Sequence, residues 1–440
     1  MTAPFVYPSV KRYALRQARV LGRSLPKPEG PLDFDGFATV DILVDAGAIA
    51  KIAPAGAVDF GDVPEAALSG RIVLPLFVDA HTHIDKGHIW RRKRNPVGDF
   101  PSALAAAIED RSANWTAADV AARMEFSLRS AYAYGTTALR THIDSIGAQT
   151  RISWPVFAEA RERWRDRITL QAAPIFSVDF ALDRSHMADI EAMLDAHGTG
   201  ILGAVTYMVP RLREGLKTLF ELAERKGWEL DFHVDESADP AARSLKVVAD
   251  MAIERRFARP ILVGHCCSLV LQEDEERRKT IDAVARAGIS VVSLPMCNLF
   301  LQDRHPGRTP RWRGVTALHE LRAANVETMI ASDNTRDSFY PFGDLDMMEV
   351  WREGARILHL DHPAEPWAPA LFTAPAKAMG LAAGGLAIGA PADLILTRAR
   401  SFTELFARPQ HDRTVLRAGA PCEAALPSYA ELDRLEGLVP

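Results

Sequence analysis

The sequence predicts an α/β protein built on a (β/α)8 TIM barrel. Two observations predict it. Eight short apolar runs alternate with amphipathic stretches, and residues able to bind metal recur at the ends of those runs. Strands that alternate with helices form parallel sheets, and eight such units suit a closed barrel better than an open sheet. The 440 residues accommodate a barrel of ~250 residues with additions.

The runs are Ile72–Asp79, Thr137–Thr141, Ile168–Ile175, Ile201–Met208, Leu230–Val234, Ile261–His265, Ile289–Leu294 and Val326–Ala331. Between them, Leu212–Arg225 and Asp274–Ala287 carry helical periodicity. Asp303–Arg313, rich in Pro and Arg, reads as an irregular loop after the seventh run. The ends differ. Val40–Ile52 reads as two short strands around Ala46-Gly47, and Asp393–Thr397 and Thr414–Arg417 as two more, near Gly389 and Gly419. Both ends are expected to meet in one small β-domain. The division is then 1–72 and 385–440 for that domain and 73–384 for the barrel.

Composition excludes several classes. Hydrophobic residues make up 48% and charged residues 25%, which is ordinary for a soluble globular protein. A net charge of −5 gives no footprint for nucleic acid or an anionic membrane. No stretch is long and apolar enough to span a bilayer. Met1–Arg19 carries Lys11, Arg12, Arg16 and Arg19 without the apolar core of a signal peptide. Four cysteines are no disulfide framework. Adjacent Cys266 and Cys267 would face opposite sides of a strand, and all four read as reduced, mostly buried thiols. A cytoplasmic location is expected. The partner is a small molecule, and assembly into a homo-oligomer is compatible with the sequence. The basic run Arg91–Arg94 reads as a solvated loop.

Catalytic groups of such a barrel sit at the C-terminal ends of its strands. The first run leads into His81-Thr82-His83. Residues two apart in a strand share a side, so both imidazoles can face the barrel axis. The fifth run ends in His233 with Glu236 three residues on, the sixth ends in His265, and Asp333 follows the eighth. Singly, each is a weak signal, since a lone HxH is more often structural. Jointly, they converge on one mouth. Imidazole and carboxylate ligands suit zinc and ferrous iron alike, so one divalent ion per chain, Zn2+ or Fe2+, is expected on His81, His83, His233 and Asp333. Such an ion lowers the pKa of water from about 15.7 to about 7, which eases hydroxide formation by roughly 12 kcal/mol. Glu236 is placed to move the water proton. His265 could ligate the ion or hydrogen-bond the hydroxide, and the second role is favoured because four ligands are already present.

These residues resemble the cytosine deaminase branch of the amidohydrolase superfamily over nearly the whole chain. Leu74–Lys86 (LPLFVDAHTHIDK) resembles its first-strand motif, and Arg140–Asp144 (RTHID) its second. Asp231–Glu236 (DFHVDE) is similar to its H-C-D-E motif with Val234 in place of Cys, and Gly264–Leu269 (GHCCSL) sits at its sixth-strand histidine. Leu294–Gly314 resembles the L-P-x-x-N-x-x-L-Q-x-R stretch, and Ser332–Gly343 the eighth-strand aspartate with its loop. The resemblance implies a barrel with a small β-sandwich domain formed from both chain termini. It implies metal ligation by His81, His83, His233 and Asp333, proton transfer by Glu236, and polarisation of the water by His265. The implied reaction removes an amino group from a ring carbon and gives ammonia. Three pocket positions depart from the pattern: Asn334 replaces a second Asp, Phe339 a Trp, and Ser177 a Gln. They predict a ring other than cytosine, such as an isocytosine or an aminotriazine.

Other residues have two readings. His142 could touch substrate or be a hydrogen-bonded core histidine. Lys86 could orient a ring carbonyl or pair with Asp85 or another acid. Phe339 could stack on a planar ring or belong to the core. Asn298 and Gln302 are expected to hold their loop, and His88, His305 and His359 to lie at the surface. An alternative reaction keeps the metal and cleaves an N-alkylamino substituent or a cyclic amide. A metal-binding relative without catalysis is a third reading, against which Glu236 beside a full ligand set argues.

Overall fold

The computed structural model describes residues 7–8, 10–27, 29–382 and 385–437. The first six residues of the Met1–Arg19 reading, and the expected boundary at 384, lie outside them. The chain is a mixed α/β protein. Eight strands carry the parallel part: β1 (Phe77–Thr82), β2 (Thr136–Asp144), β3 (Thr169–Ile175), β4 (Ile201–Thr206), β5 (Glu229–Val234), β6 (Ile261–His265), β7 (Ser290–Ser293) and β8 (Thr328–Ile330). They form a three-stranded sheet, β1-β2-β3, and a five-stranded sheet running in order from β4 to β8. Parallel bridges Ser177↔Val205 and Thr82↔Asp333 link the edges of the two sheets. Every residue of β1 and β6 is buried, as expected for strands covered on both faces.

Two helices follow β1 and shape the site. α1 (Phe100–Asn114) starts where the Asp99 carboxylate accepts the Ser102 N–H, with a proline in its first turn. α2 (Ala117–Tyr134) is capped by Thr116 and stops at Gly135, whose φ of 96° lets its N–H reach back to Ala131 and Tyr132. β2 begins at the next residue. The main apolar core lies between the parallel strands and their helices, with Trp154, Phe157, Trp164, Phe220 and Phe232 among its largest members.

Both ends of the chain build one eight-stranded sheet. Phe37–Asp45 and Ala48–Pro54 pair antiparallel around Ala46 and Gly47, both at positive φ, the geometry of a tight hairpin turn. Leu394–Leu396, near the other end of the chain, pairs with Ile72–Pro75. The predicted run Ile72–Asp79 is therefore two strands. Ile72–Pro75 belongs to the terminal sheet and β1 to the parallel one. Pro75, which has no N–H to continue a ladder, is the last residue before the switch.

Three expectations are corrected. The Arg91–Arg94 run is not a plain solvated loop, because the half-buried Arg92 pairs with Asp110 at 2.9 Å and Asp119 at 2.5 Å. His88 is buried, its ring against Phe126, whereas His305 and His359 are exposed. Cys266 lies past the end of β6 in a left-handed conformation and Cys267 begins a 3-10 turn, so the pair does not alternate along a strand. All four cysteines are free thiols, three of them buried. Among the described residues no helix is long and apolar enough to cross a membrane.

Candidate metal centre and substrate cavity

Each candidate ligand comes from a strand end. β1 delivers His81 and, one residue past its end, His83. β5 contains His233, β6 ends at His265, and Asp333 follows β8. The structure brings them together. His83 Nε2 lies 3.3 Å from Asp333 Oδ1 and 3.2 Å from His233 Nε2, and His81 Nε2 lies 3.6 Å from the same carboxylate oxygen. Ring nitrogens of His81, His83, His142 and His233 fall within 4.8 Å of one another, as do ligand atoms of His81, His265 and Asp333.

The donor set fits a divalent cation. Both nitrogens of His81, both oxygens of Asp333 and Nδ1 of His83 and His233 are buried without a hydrogen-bond partner. Buried polar atoms left so are costly, and a metal ion among the converging Nε2 atoms and Asp333 would take one nitrogen of each imidazole and the carboxylate. Burial above all, then neighbouring imidazoles or the Lys86 charge, holds His81, His83 and His233 well below the usual histidine range. They are neutral, the form that ligates metal.

Beside the cage, Glu236 and His265 share one side-chain amide. Asn298 Nδ2 donates to Glu236 Oε1 at 3.0 Å and lies 3.0 Å from His265 Nδ1. His265 Nδ1 also lies 3.3 Å from Glu236 Oε1; an Nδ1 that accepts from the amide leaves the ring proton on Nε2. Burial, and then the Asp333 charge, raises the Glu236 carboxyl well above its ordinary value. Asn298 was expected only to hold its loop. Its only sequence signal was its place in the L-P-x-x-N stretch, because its partners lie on β6 and after β5.

A cavity of about 470 Å³ opens on this centre. His83, His233, Glu236, His265, Asn334 and Phe339 line its floor, and Phe100, Leu104, Ile146, Phe176, Phe180 and Tyr207 its apolar walls.

The sequence profile described as "Amidohydrolase family" matches residues 135–421. The chain belongs to the amidohydrolase family. It is a hydrolase of carbon–nitrogen bonds. A pterin deaminase of Rhizobium rhizogenes is 49% identical to it over 431 residues, 98% of each chain. An N-isopropylammelide isopropyl amidohydrolase of a Pseudomonas species is 26% identical over 324 residues, 66% of this chain and 76% of its own. In fold, the chain is similar to the 5-methylcytosine deaminase of Klebsiella pneumoniae, with a TM-score of 0.79 at 21% identity, over 93% of this chain and 96% of that one.

The remaining predicted residues of this amidohydrolase divide in two. Lys86, Ser177, Asn334 and Phe339 all line the cavity. Lys86 Nζ lies 3.5 Å from Asp144, the acid it pairs with, and 5.0 Å from the Phe339 ring centroid. Burial would lower its pKa, but Asp144 and Asp85 outweigh burial and hold it above the usual lysine value. Asn334 gives an amide hydrogen to Asp337 Oδ2 at 2.6 Å, which fixes its orientation. His142 is not in the cavity wall. It stands in the histidine cage with Nε2 on Asp231 at 3.1 Å, and Asp231 is held in turn by Arg140 at 3.0 Å. Sequence reasoning missed Arg111. It bonds Asp144 at 2.8 Å and lines the cavity from α1, a helix without strong periodicity in sequence.

Proposed function

We propose that this amidohydrolase is a metal-dependent deaminase of a bicyclic 2-amino-4-oxo heterocycle, a pterin, releasing ammonia. The observation that carries it is the near full-length likeness to a pterin deaminase, 49% identical over 98% of both chains. Two features of the site agree. The amino-substituted ring of a pterin has the isocytosine pattern that Asn334, Phe339 and Ser177 led us to expect, and the cavity of about 470 Å³ leaves room for the fused ring. The parallel strands are read as one closed (β/α)8 barrel with this centre at its C-terminal mouth. The terminal sheet, which includes Ile72–Pro75, is read as a small β-sandwich domain drawn from both ends of the chain, with its boundary near 75 in place of the expected 72, and the location as cytoplasmic.

His81, His83, His233 and Asp333 would hold one Zn2+ or Fe2+, whose chemistry is to make hydroxide available near neutral pH. Phe339 stacks on the ring plane, and the Lys86 cation faces the ring carbonyl. Glu236, its pKa raised by burial, takes the water proton and passes it to the leaving amine. His265 donates from Nε2 to the attacking oxygen. The test is ammonia release across pterin, isocytosine, cytosine, an N-alkylaminotriazine and a cyclic amide, with metal content measured on the same sample. Pterin is expected to lead. A primary amine or a ring-opened acid as the main product would replace this reading with cleavage of an N-alkylamino group or a cyclic amide.

A further inference from the structure

The loops after β1 and β8 carry His83 and Asp333 and are zipped together by backbone. The His88 N–H donates to the Thr335 carbonyl and the Trp90 N–H to the Arg336 carbonyl, each at 2.9 Å. A third segment grips both. Residues 428–437 come from the far end of the sequence, beyond the last strand of the terminal sheet. Glu436 is buried between the two loops, its carboxylate 3.3 Å from Arg91 of the first and 3.5 Å from Arg336 of the second. The Arg336 guanidinium also lies 4.0 Å from the Tyr429 ring centroid. Arg91 reaches Asp433 at 3.5 Å.

The same segment reaches the centre by a buried path. The Leu435 carbonyl accepts from Arg92 at 3.0 Å. Arg92 bonds Asp119, Asp119 bonds Arg123 at 2.7 Å, and Arg123 donates to the carbonyl of Asp85. Asp85 is two residues past His83, and its carboxylate accepts the Asp144 N–H at 2.8 Å, at the wall of the cavity.

We propose that residues 428–437 are a clasp that sets the spacing of the two metal-bearing loops, and that Glu436 is a positioning residue acting through Arg91 and Arg336 on the His83–Asp333 pair. The proposal rests on the ligand assignment above. A charge-assisted contact on two loops fixes their separation as a neutral surface contact cannot. Groups that orient ligands from outside the coordination sphere govern metal retention.

The experiment uses the full chain loaded with metal. Glu436→Gln is compared with Glu436→Asp and with Glu431→Gln. The last breaks a pair in the same segment, Glu431 with Arg129 of α2 at 3.2 Å, that touches neither loop. Metal loss to a chelator is expected to be ~10-fold faster in Glu436→Gln, with kcat reduced and KM for the ring unchanged. Glu436→Asp recovers part of both, and Glu431→Gln matches the parent protein. Equal loss of thermal stability in Glu436→Gln and Glu431→Gln, with metal retention and kcat unchanged, would overturn the clasp. Should Glu436→Gln fail to accumulate, Arg91→Gln, at a half-exposed position, gives the same readout. Failure of the ligand assignment is distinguishable, because parent protein without stoichiometric metal removes the question before any variant is compared.

Discussion

Asn298 holds both members of the proposed acid–base pair, Glu236 and His265, on one side-chain amide. Glu236 accepts a proton only as a carboxylate. Burial and the Asp333 charge raise its pKa, while the hydrogen bond from Asn298 lowers it. Removing that donor raises the pKa further. The acidic limb of the kcat/KM profile is therefore expected to move to higher pH in Asn298→Ala, with metal content intact, and an unmoved limb would remove Asn298 from the acid–base assembly. Glu236→Gln keeps shape and loses the titrating proton. It should retain metal and lose at least ~100-fold in turnover, and near-normal turnover would dismiss Glu236 as the shuttle. At this scale the clustered histidines and Asp333 were legible, since HxH and strand-terminal His and Asp stand out in the local sequence. Asn298 and Arg111 were not. Their roles depend on partners far away in the chain, and the contacts of Asn298 with Glu236 and His265 span 62 and 33 residues.

Among elements, the His81 ring from β1 lies so close to β6 that a side chain at Gly264 must displace it. A Cβ on Gly264 would stand 2.9 Å from His81 Cε1. Gly264→Ala is expected to fold, displace the His81 ring and lower metal occupancy, read by metal analysis against the parent. Normal occupancy would mean that the strand yields instead. The loop after β1 has a second requirement. Arg92 neutralises Asp110 and Asp119 together. Arg92→Gln leaves the buried Asp110 carboxylate without its cation, while Asp119 keeps Arg123, and should cost about 3 kcal/mol of stability, the low end for a broken buried pair. A change within ~1 kcal/mol, the worth of a surface pair, would show the cluster to be solvated. In sequence this run of four basic residues was indistinguishable from a surface loop, because its acids arrive on α1 and α2.

For the whole molecule, the histidine cage ties metal to stability. An ion bound only by the folded chain stabilises it by mass action, so chelation is expected to abolish turnover and lower Tm, and readdition to restore both. Unchanged Tm and activity after removal would exclude the centre. Specificity also belongs to this scale. Cytosine is expected to show a lower kcat/KM than a pterin, because a site with fixed hydrogen-bonding groups rejects a mismatched ring edge. Asn334 is such a group, oriented by Asp337. A higher kcat/KM for cytosine would mean that Asn334, Phe339 and Ser177 do not set the choice.

The sequence by itself determined the parallel strands and the candidate ligands at their ends. Both follow from local periodicity, two residues for a strand and 3.6 for a helix, combined with the rule that strand ends carry the chemistry. It also signalled the hairpin at Ala46-Gly47, a turn defined by two residues. Only the tertiary structure decided that Ile72–Asp79 serves two sheets, that His88 is buried and Arg92 paired with two acids, that His142 joins the cage rather than the cavity wall, and that Glu436 bridges the β1 and β8 loops. The physical reason is common to all four. Burial and pairing are set by groups tens to hundreds of residues away, and neither periodicity nor propensity encodes which distant surface a residue will meet.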